Sequence, residues 1–196
     1  MHQEILDLVA ARHGHFRLES GHHGDLWLDL EVLCVRPGPV ERLAAILAER
    51  LSRHPIDAVC GPLVEGAFVA LMVASELGVE FSYTERHVRP QGASLYPVEY
   101  RLPQALGARL RGQRVAIVND VTNAGSAVRG TLAALLACGA RPMVIGLLLV
   151  LGSMAAEFAA TQHLPLETLA TLPNRVWAPE DCPLCAAQMP LEDGTP

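Results

Sequence analysis

The chain has 196 residues, a formal net charge of -6 at pH 7, 51% hydrophobic and 18% charged residues, which excludes a disordered chain and a general nucleic-acid-binding surface. All 15 basic residues are Arg, so lysine-dependent mechanisms are excluded as well. The longest apolar run, residues 143–151, is too short to span a bilayer, the first residues form no apolar signal core, and the five Cys are scattered apart from one pair; the expectation is a soluble cytoplasmic protein without a disulfide framework and with no nucleic-acid or membrane partner.

Residues 3–12 read as a short helix with Ile5, Leu8 and Val9 on one face. Leu26, Leu28, Leu30 and Val32 alternate with Trp27, Asp29 and Glu31, the period of a half-buried strand. Val40, Leu43, Leu47 and Leu51 stand at helical spacing within 39–53. Residues 58–60 are a short apolar strand, and the stretch from Gly61 to Gly66 is its exit loop. A helix is expected over 67–77 and a strand over 79–83. Residues 84–96 mix Arg, Glu, His, Pro and Gly without periodicity and read as a loop or mobile arm, with a returning strand over 98–102. The run 114–118 is a strand, 126–138 a helix, 142–151 a central parallel strand and 166–172 the last strand candidate. The tail after Pro179 is Pro-rich and reads as irregular. This alternation predicts an α/β fold, a mostly parallel twisted sheet with flanking helices.

The most informative stretch is 115–131, VAIVNDVTNAGSAVRGT. An apolar strand stops at the polar pair Asn119-Asp120, small and hydroxyl residues follow, and a helix begins. Such a turn aims several backbone N–H groups at one point with the positive end of the helix dipole behind them, which makes it a phosphate cradle. Asn119 and Asp120 beside it suit sugar hydroxyls. The other glycine-bounded strand exit, Gly61-Pro62-Leu63-Val64-Glu65-Gly66, allows a close backbone approach to a ligand. Two anion-friendly loops at the carboxyl ends of adjacent strands suit a ligand with phosphates at both ends.

NDVTNAGSAVRGT resembles the phosphoribosyl-pyrophosphate (PRPP) signature of the type I phosphoribosyltransferases, and most closely that of the orotate phosphoribosyltransferases. FRLESGHHGDLWLDL (16–30) is similar to their N-terminal segment, CGPLVEGAFVA (60–70) to their pyrophosphate loop, and YTERHVRPQG (83–92) stands in the place of their mobile catalytic loop. The resemblance implies one domain over 1–178 with a small N-terminal hood at about 1–35, then a tail over 179–196. It implies transfer of ribose 5-phosphate from PRPP to a pyrimidine or related base with release of pyrophosphate, with Mg²⁺ arriving on PRPP, in a homodimer whose mobile loop reaches the neighbouring site. By the same resemblance Asn119, Asp120, Thr122, Asn123, Ala124, Gly125, Ser126 and Ala127 bind PRPP. Asp120, Arg86 and Arg89 are catalytic, Gly61 to Gly66 hold pyrophosphate, and Ser20, Gly21, His22 and Trp27 face the base.

The chain departs from the family pattern at four charged positions. Asn119 stands for an acid, Glu65 for the Lys of the pyrophosphate loop, Glu85 opens the mobile loop where a cation is usual, and Glu19 replaces a Lys near the base. Like charges facing an anionic ligand are unfavourable in a desolvated site. A fold that binds PRPP or a nucleotide without efficient transfer is therefore the second reading. His22-His23 reads as a surface pair, Trp27 on a strand reads as core ahead of a base-stacking platform, and Tyr83 is open to the same two readings.

Cys182-Pro-Leu-Cys185 has the spacing to hold one zinc ion. A structural site needs two more ligands, with Cys34, Cys60, Cys138, His163 or a second subunit as the candidates; the alternative is a tail with two free thiols. No βα pattern surrounds the pair, so a thioredoxin-like role is disfavoured.

Overall fold

The structure is a computed structural model and describes residues 2–18, 21–88, 98–123 and 125–193. The described chain opens with α1 (His2–Leu8), β1 (Arg12–Arg17) and β2 (His23–Trp27). Then come α2 (Pro37–Leu51), β3 (Ala58–Pro62), α3 (Glu65–Leu77), β4 (Glu80–Val88), β5 (Val98–Arg101) and α4 (Gln104–Leu110). They are followed by β6 (Arg114–Thr122), α5 (Ser126–Cys138), β7 (Arg141–Leu151), α6 (Met154–Thr161) and β8 (Leu166–Leu172), and the described chain ends with β9 (Val176–Trp177), α7 (Pro183–Ala186) and β10 (Glu192–Asp193).

The main sheet has the order β5-β4-β3-β6-β7-β8. All its pairs are parallel except the antiparallel edge strand β5. Strand β6 up to Val118 and strand β7 from Met143 read as apolar runs because both faces are covered. On one face Leu43 and Leu47 of α2 and Val69 and Val73 of α3 join Val118 and Leu148 in one core. On the other, Leu132 and Leu135 of α5 and Phe158 of α6 meet Ile117 and Ile145. Strand β3 lies between β4 and β6, so the chain winds outward in opposite directions from β3 and from β6. The crevice at the carboxyl ends of those two strands is a topological switch point, the usual ligand site of an open α/β sheet.

A second sheet, β10-β1-β2-β9, joins the beginning of the chain to its end. Strand β1 pairs antiparallel with β2 and parallel with β10, and β2 pairs antiparallel with β9.

Several sequence expectations need correction. The first helix stops at Leu8, Ala10 takes a φ of 43°, and a strand, β1, follows. The strand read over 26–32 ends at Trp27: the Asp29 N–H donates to the Val9 carbonyl (2.8 Å) rather than to a sheet neighbour, and a 3-10 turn spans Leu30–Val32. Leu26, Leu28 and Leu30 still pack on the core, which is why their alternation looked like a strand. The segment read as an arm from residue 84 continues β4 to Val88, where Glu85 pairs with Arg101 and Arg86 with Tyr100; its remaining part, 89–97, lies outside the described residues. Helices α4 and α6 were not expected. The tail is not irregular throughout, since it holds α7 and β10.

Candidate active site

Asn119 and Asp120 lie inside β6 and not beyond its end, because pairing with β7 continues past them: Asn119 opposes Leu147, Val121 opposes Leu149 and Thr122 opposes Val150. The turn that follows is therefore short. Gly125 takes a φ of 79° and caps α5, a backbone conformation other residues rarely adopt. No side chain caps this helix. Its first backbone N–H groups, from Ser126 onward, thus have no side-chain acceptor from the cap, with the dipole of a 13-residue helix behind them. The Asn123 carboxamide oxygen accepts a hydrogen bond of 2.5 Å from Asn174 Nδ2, which ties the cradle to the segment between β8 and β9.

Asp120 is 4% exposed. Burial pushes its carboxyl up to about 6, the nearby Glu65 carboxylate adds to this, and backbone N–H bonds at Val121 and at Asp120 itself oppose it. Cys34 is raised by burial and by the same two carboxylates, Glu65 and Asp120. Two acids, Glu65 and Asp120, thus both act at the switch point. Asn119 turns its carboxamide onto the neighbouring loop: Nδ2 donates to the Val121 carbonyl (3.1 Å), and a Cβ added at Gly66 would run into Oδ1. Gly66 is required for that close approach.

The expected pyrophosphate loop is shorter than its six residues. Gly61 and Pro62 are the last residues of β3, and Glu65 and Gly66 begin α3. Only Leu63 and Val64 connect them; their shared peptide is cis, and the Leu63 N–H donates to the Thr84 carbonyl (2.9 Å). A Cβ at Gly61 would come 2.6 Å from the Gly66 carbonyl oxygen, so strand and helix pack through the absence of a side chain.

Arg86 is exposed on β4. Tyr100, whose hydroxyl is pushed up by burial, is held down by Arg86 and pushed up further by Asp120. Glu85 lies 3.5 Å from His87 Nε2. Arg89, Ser20, Glu19 and Ala124 lie outside the described residues.

A cleft of about 520 Å³ joins the cradle to the hood sheet. Asn119, Thr122, Asn123, Gly125, Ser126 and Ala127 line one wall; Leu18, Gly24, Trp27 and Val176 line the other. Trp27 is half-buried, faces the cleft and stands 6.0 Å from the Phe16 ring, so it serves cleft and packing together. Gly21 and His22 are exposed in the turn between β1 and β2, where the Gly21 N–H donates to the Leu18 carbonyl (2.8 Å). His23 is not a surface residue: it is 5% exposed, and its ring packs edge-on against buried His15, 5.0 Å between centroids.

A family model described as the phosphoribosyl transferase domain matches residues 38–163. The chain belongs to this family. Among related proteins of this phosphoribosyltransferase, an orotate phosphoribosyltransferase from Acidithiobacillus ferrooxidans is 30% identical over 185 residues, covering 91% of this chain and 86% of the relative. One from Caldanaerobacter subterraneus subsp. tengcongensis is 27% identical over 179 residues, with 91% and 86% covered. The crystal structure of orotate phosphoribosyltransferase from Aeropyrum pernix superposes with a TM-score of 0.68 at 26% identity, covering 88% of this chain and 94% of that one. The fold is thus the type I phosphoribosyltransferase fold, and the chain is an enzyme of the phosphoribosyl-transferring class. Asn174 and His15 were not anticipated as site residues; each acts through a partner at least eight positions away in sequence, which no local pattern reports.

Proposed function

We propose that this phosphoribosyltransferase moves ribose 5-phosphate from PRPP to orotate or a closely related pyrimidine. A ring nitrogen of the base forms a bond to C1 of the ribose, the C1–oxygen bond breaks, and pyrophosphate leaves with the bonding electrons. The observation that carries this reading is one cleft lined both by an uncapped helix N-terminus and by Trp27. In it, the N–H groups at the start of α5 hold the 5-phosphate. Asp120 accepts from the ribose hydroxyls, and Arg86 on β4 faces the departing pyrophosphate. Trp27 offers a flat surface to the base.

The mutual repulsion of Asp120 and Glu65 suits a divalent cation, since a positive charge near both would offset the desolvation and the Glu65 charge that raise Asp120. Mg²⁺ arriving on PRPP would be held by these carboxylates and would neutralise charge on the leaving group. On this view Glu65, which departs from the usual cation, turns the pyrophosphate loop into a metal-facing element.

The expected homodimer belongs to the same proposal. Val64, Phe68 and Leu71 form one stripe along α3 beside the pyrophosphate loop and are 53%, 43% and 49% exposed. A second copy covering this stripe would bring two sites together.

The test is pyrophosphate release with PRPP against a panel of bases, with and without Mg²⁺. Turnover with orotate supports the reading. A thermal shift with PRPP but no turnover with any base would favour a binding module instead.

A further inference from the structure

We propose that His15, His23, Cys182 and Cys185 form a closed Cys₂His₂ site for a structural zinc ion that fastens the tail to the hood. One candidate atom from each of the four side chains lies within 4.8 Å of all the others. His15 Nε2 is 3.1 Å from His23 Nδ1. Cys182 Sγ is 3.4 Å from His15 Nε2, and Cys185 Sγ is 3.7 Å from His15 Nε2 and 3.3 Å from His23 Nδ1. Tetrahedral zinc, with bonds of about 2.0–2.1 Å to nitrogen and about 2.3 Å to sulfur, separates two nitrogens by about 3.3 Å and a nitrogen from a sulfur by about 3.6 Å. The four pair distances above lie close to that geometry, and the full set, within 4.8 Å, needs only a small contraction to close on the ion.

The orientation of His15 agrees with it. Its Nδ1 lies 2.9 Å from the Met189 carbonyl, which only accepts, so Nδ1 is the donor there. That bond leaves Nε2 facing the cluster, the arrangement by which outer hydrogen bonds orient metal-bound imidazoles. Two thiols and two imidazoles with no carboxylate select zinc over magnesium or calcium. Four protein ligands leave no open position, which marks a structural site rather than a catalytic one.

The local fold explains how these side chains meet. The pairing of β1 with β2 shifts register between His13 and Phe16, which re-aims His15 at the bulge. The turn of α7 places Cys182 and Cys185 on one side. Among the described residues from 179 to 192, Cys182 alone is buried. The tail therefore has almost no apolar packing of its own, and the cluster joins the pairing of β10 with β1 and the Met189–His15 hydrogen bond in holding it. His23 and Gly24 are neighbours on β2 and face opposite ways; Gly24 lines the cleft, so the zinc site backs the cleft's outer wall. The partners expected from sequence, Cys34, Cys60, Cys138 and His163, are not in the cluster.

The test is independent of transfer activity. Full-length protein purified without chelator is assayed for metals by mass spectrometry and for free thiols. The expected result is about one zinc per chain, retained in Cys34→Ser and Cys60→Ser and lost in Cys182→Ser and His15→Ala. Stripping with a strong chelator should lower the Tm and speed tryptic cleavage after Arg175, and added zinc should reverse both. Cobalt loaded in its place should show the visible bands of tetrahedral, thiolate-bound metal. If the variants do not fold, the wild-type metal content, the cobalt spectrum and the reversible chelation still decide. Metal-free protein with two reactive thiols, a Cys182–Cys185 disulfide, or another resident metal would overturn the proposal.

Discussion

The two walls of the cleft are built in opposite ways. The cradle wall comes from consecutive residues at the end of β6 and the start of α5, set on a sheet whose central strands are buried on both faces. The hood wall comes from both ends of the chain: four short strands, of which β9 and β10 have two residues each. The first wall draws its rigidity from the core, so it can hold a buried carboxylate and bare helix N–H groups at fixed positions. The second has little core and depends on a few specific ties: the hydrogen bond from Asn174 to Asn123, the contact of Phe16 with Trp27, and the His–Cys cluster. The lesson is that the cradle wall, to which the proposal assigns the phosphate, is preorganised by the fold, whereas the hood wall, to which it assigns the base, is held by side chains that can be removed one at a time.

Asp120→Asn tests the first wall with the largest expected effect. Steady-state pyrophosphate release should show kcat reduced about 10²-fold or more. The same change should stabilise the protein without substrate. Folding raises the Asp120 carboxyl from its ordinary 3.8 to about 6, so between those values the folded state binds the proton more tightly than the unfolded state. Stability therefore falls as pH rises through that window, and above about 6 the full penalty remains, on the order of 2–3 kcal/mol. Urea melts should show Asn more stable than Asp near pH 7.5, with the gap closing towards pH 4. A gap that does not change with pH would mean that the carboxylate is not burdened.

Gly66→Ala comes next. Its Cβ must displace the Asn119 carboxamide, so a loss of about 1–3 kcal/mol is expected in chemical denaturation, with KM for PRPP raised and KM for the base unaffected. Asn119→Asp removes the donor to the Val121 carbonyl and adds a third acid beside Asp120 and Glu65. It should lower stability at neutral pH by about 1–2 kcal/mol, and the loss should shrink on acidification. The smallest effect is expected on the other wall. Trp27→Ala should raise KM for the base about fivefold, the equivalent of about 1 kcal/mol of stacking, while leaving KM for PRPP unchanged. If Trp27→Ala weakened PRPP as much as the base, the division of labour between the walls would fail.

The same division decides what could be read from sequence. The cradle was legible because strand, turn and helix are contiguous and each leaves a local mark: the apolar run, the glycine and the small residues before helical spacing. What local pattern missed was how far the strand runs, since Asn119, Asp120 and Thr122 stay in β6 only through pairing with β7. β1, with the sequence RHGHFR, shows no useful alternation; it becomes a strand by meeting β2 and β10. The Cys182–Cys185 spacing was visible, but its neighbours His15 and His23 stand about 160 residues away. The cluster of histidines near the start of the chain was the available signal, and only the tertiary fold attaches it to the tail.

The hood sheet also sets an order in time. Because β1 lies between β2 and β10, its outer edge waits for residues 192–193 to leave the ribosome, whereas the pairs of the six-stranded sheet need nothing beyond β8. A nascent chain can therefore fold its larger sheet while its first strands remain incompletely paired. A chain cut before β9 would keep the end of β6 and the start of α5 but lack Val176 on the facing wall of the cleft.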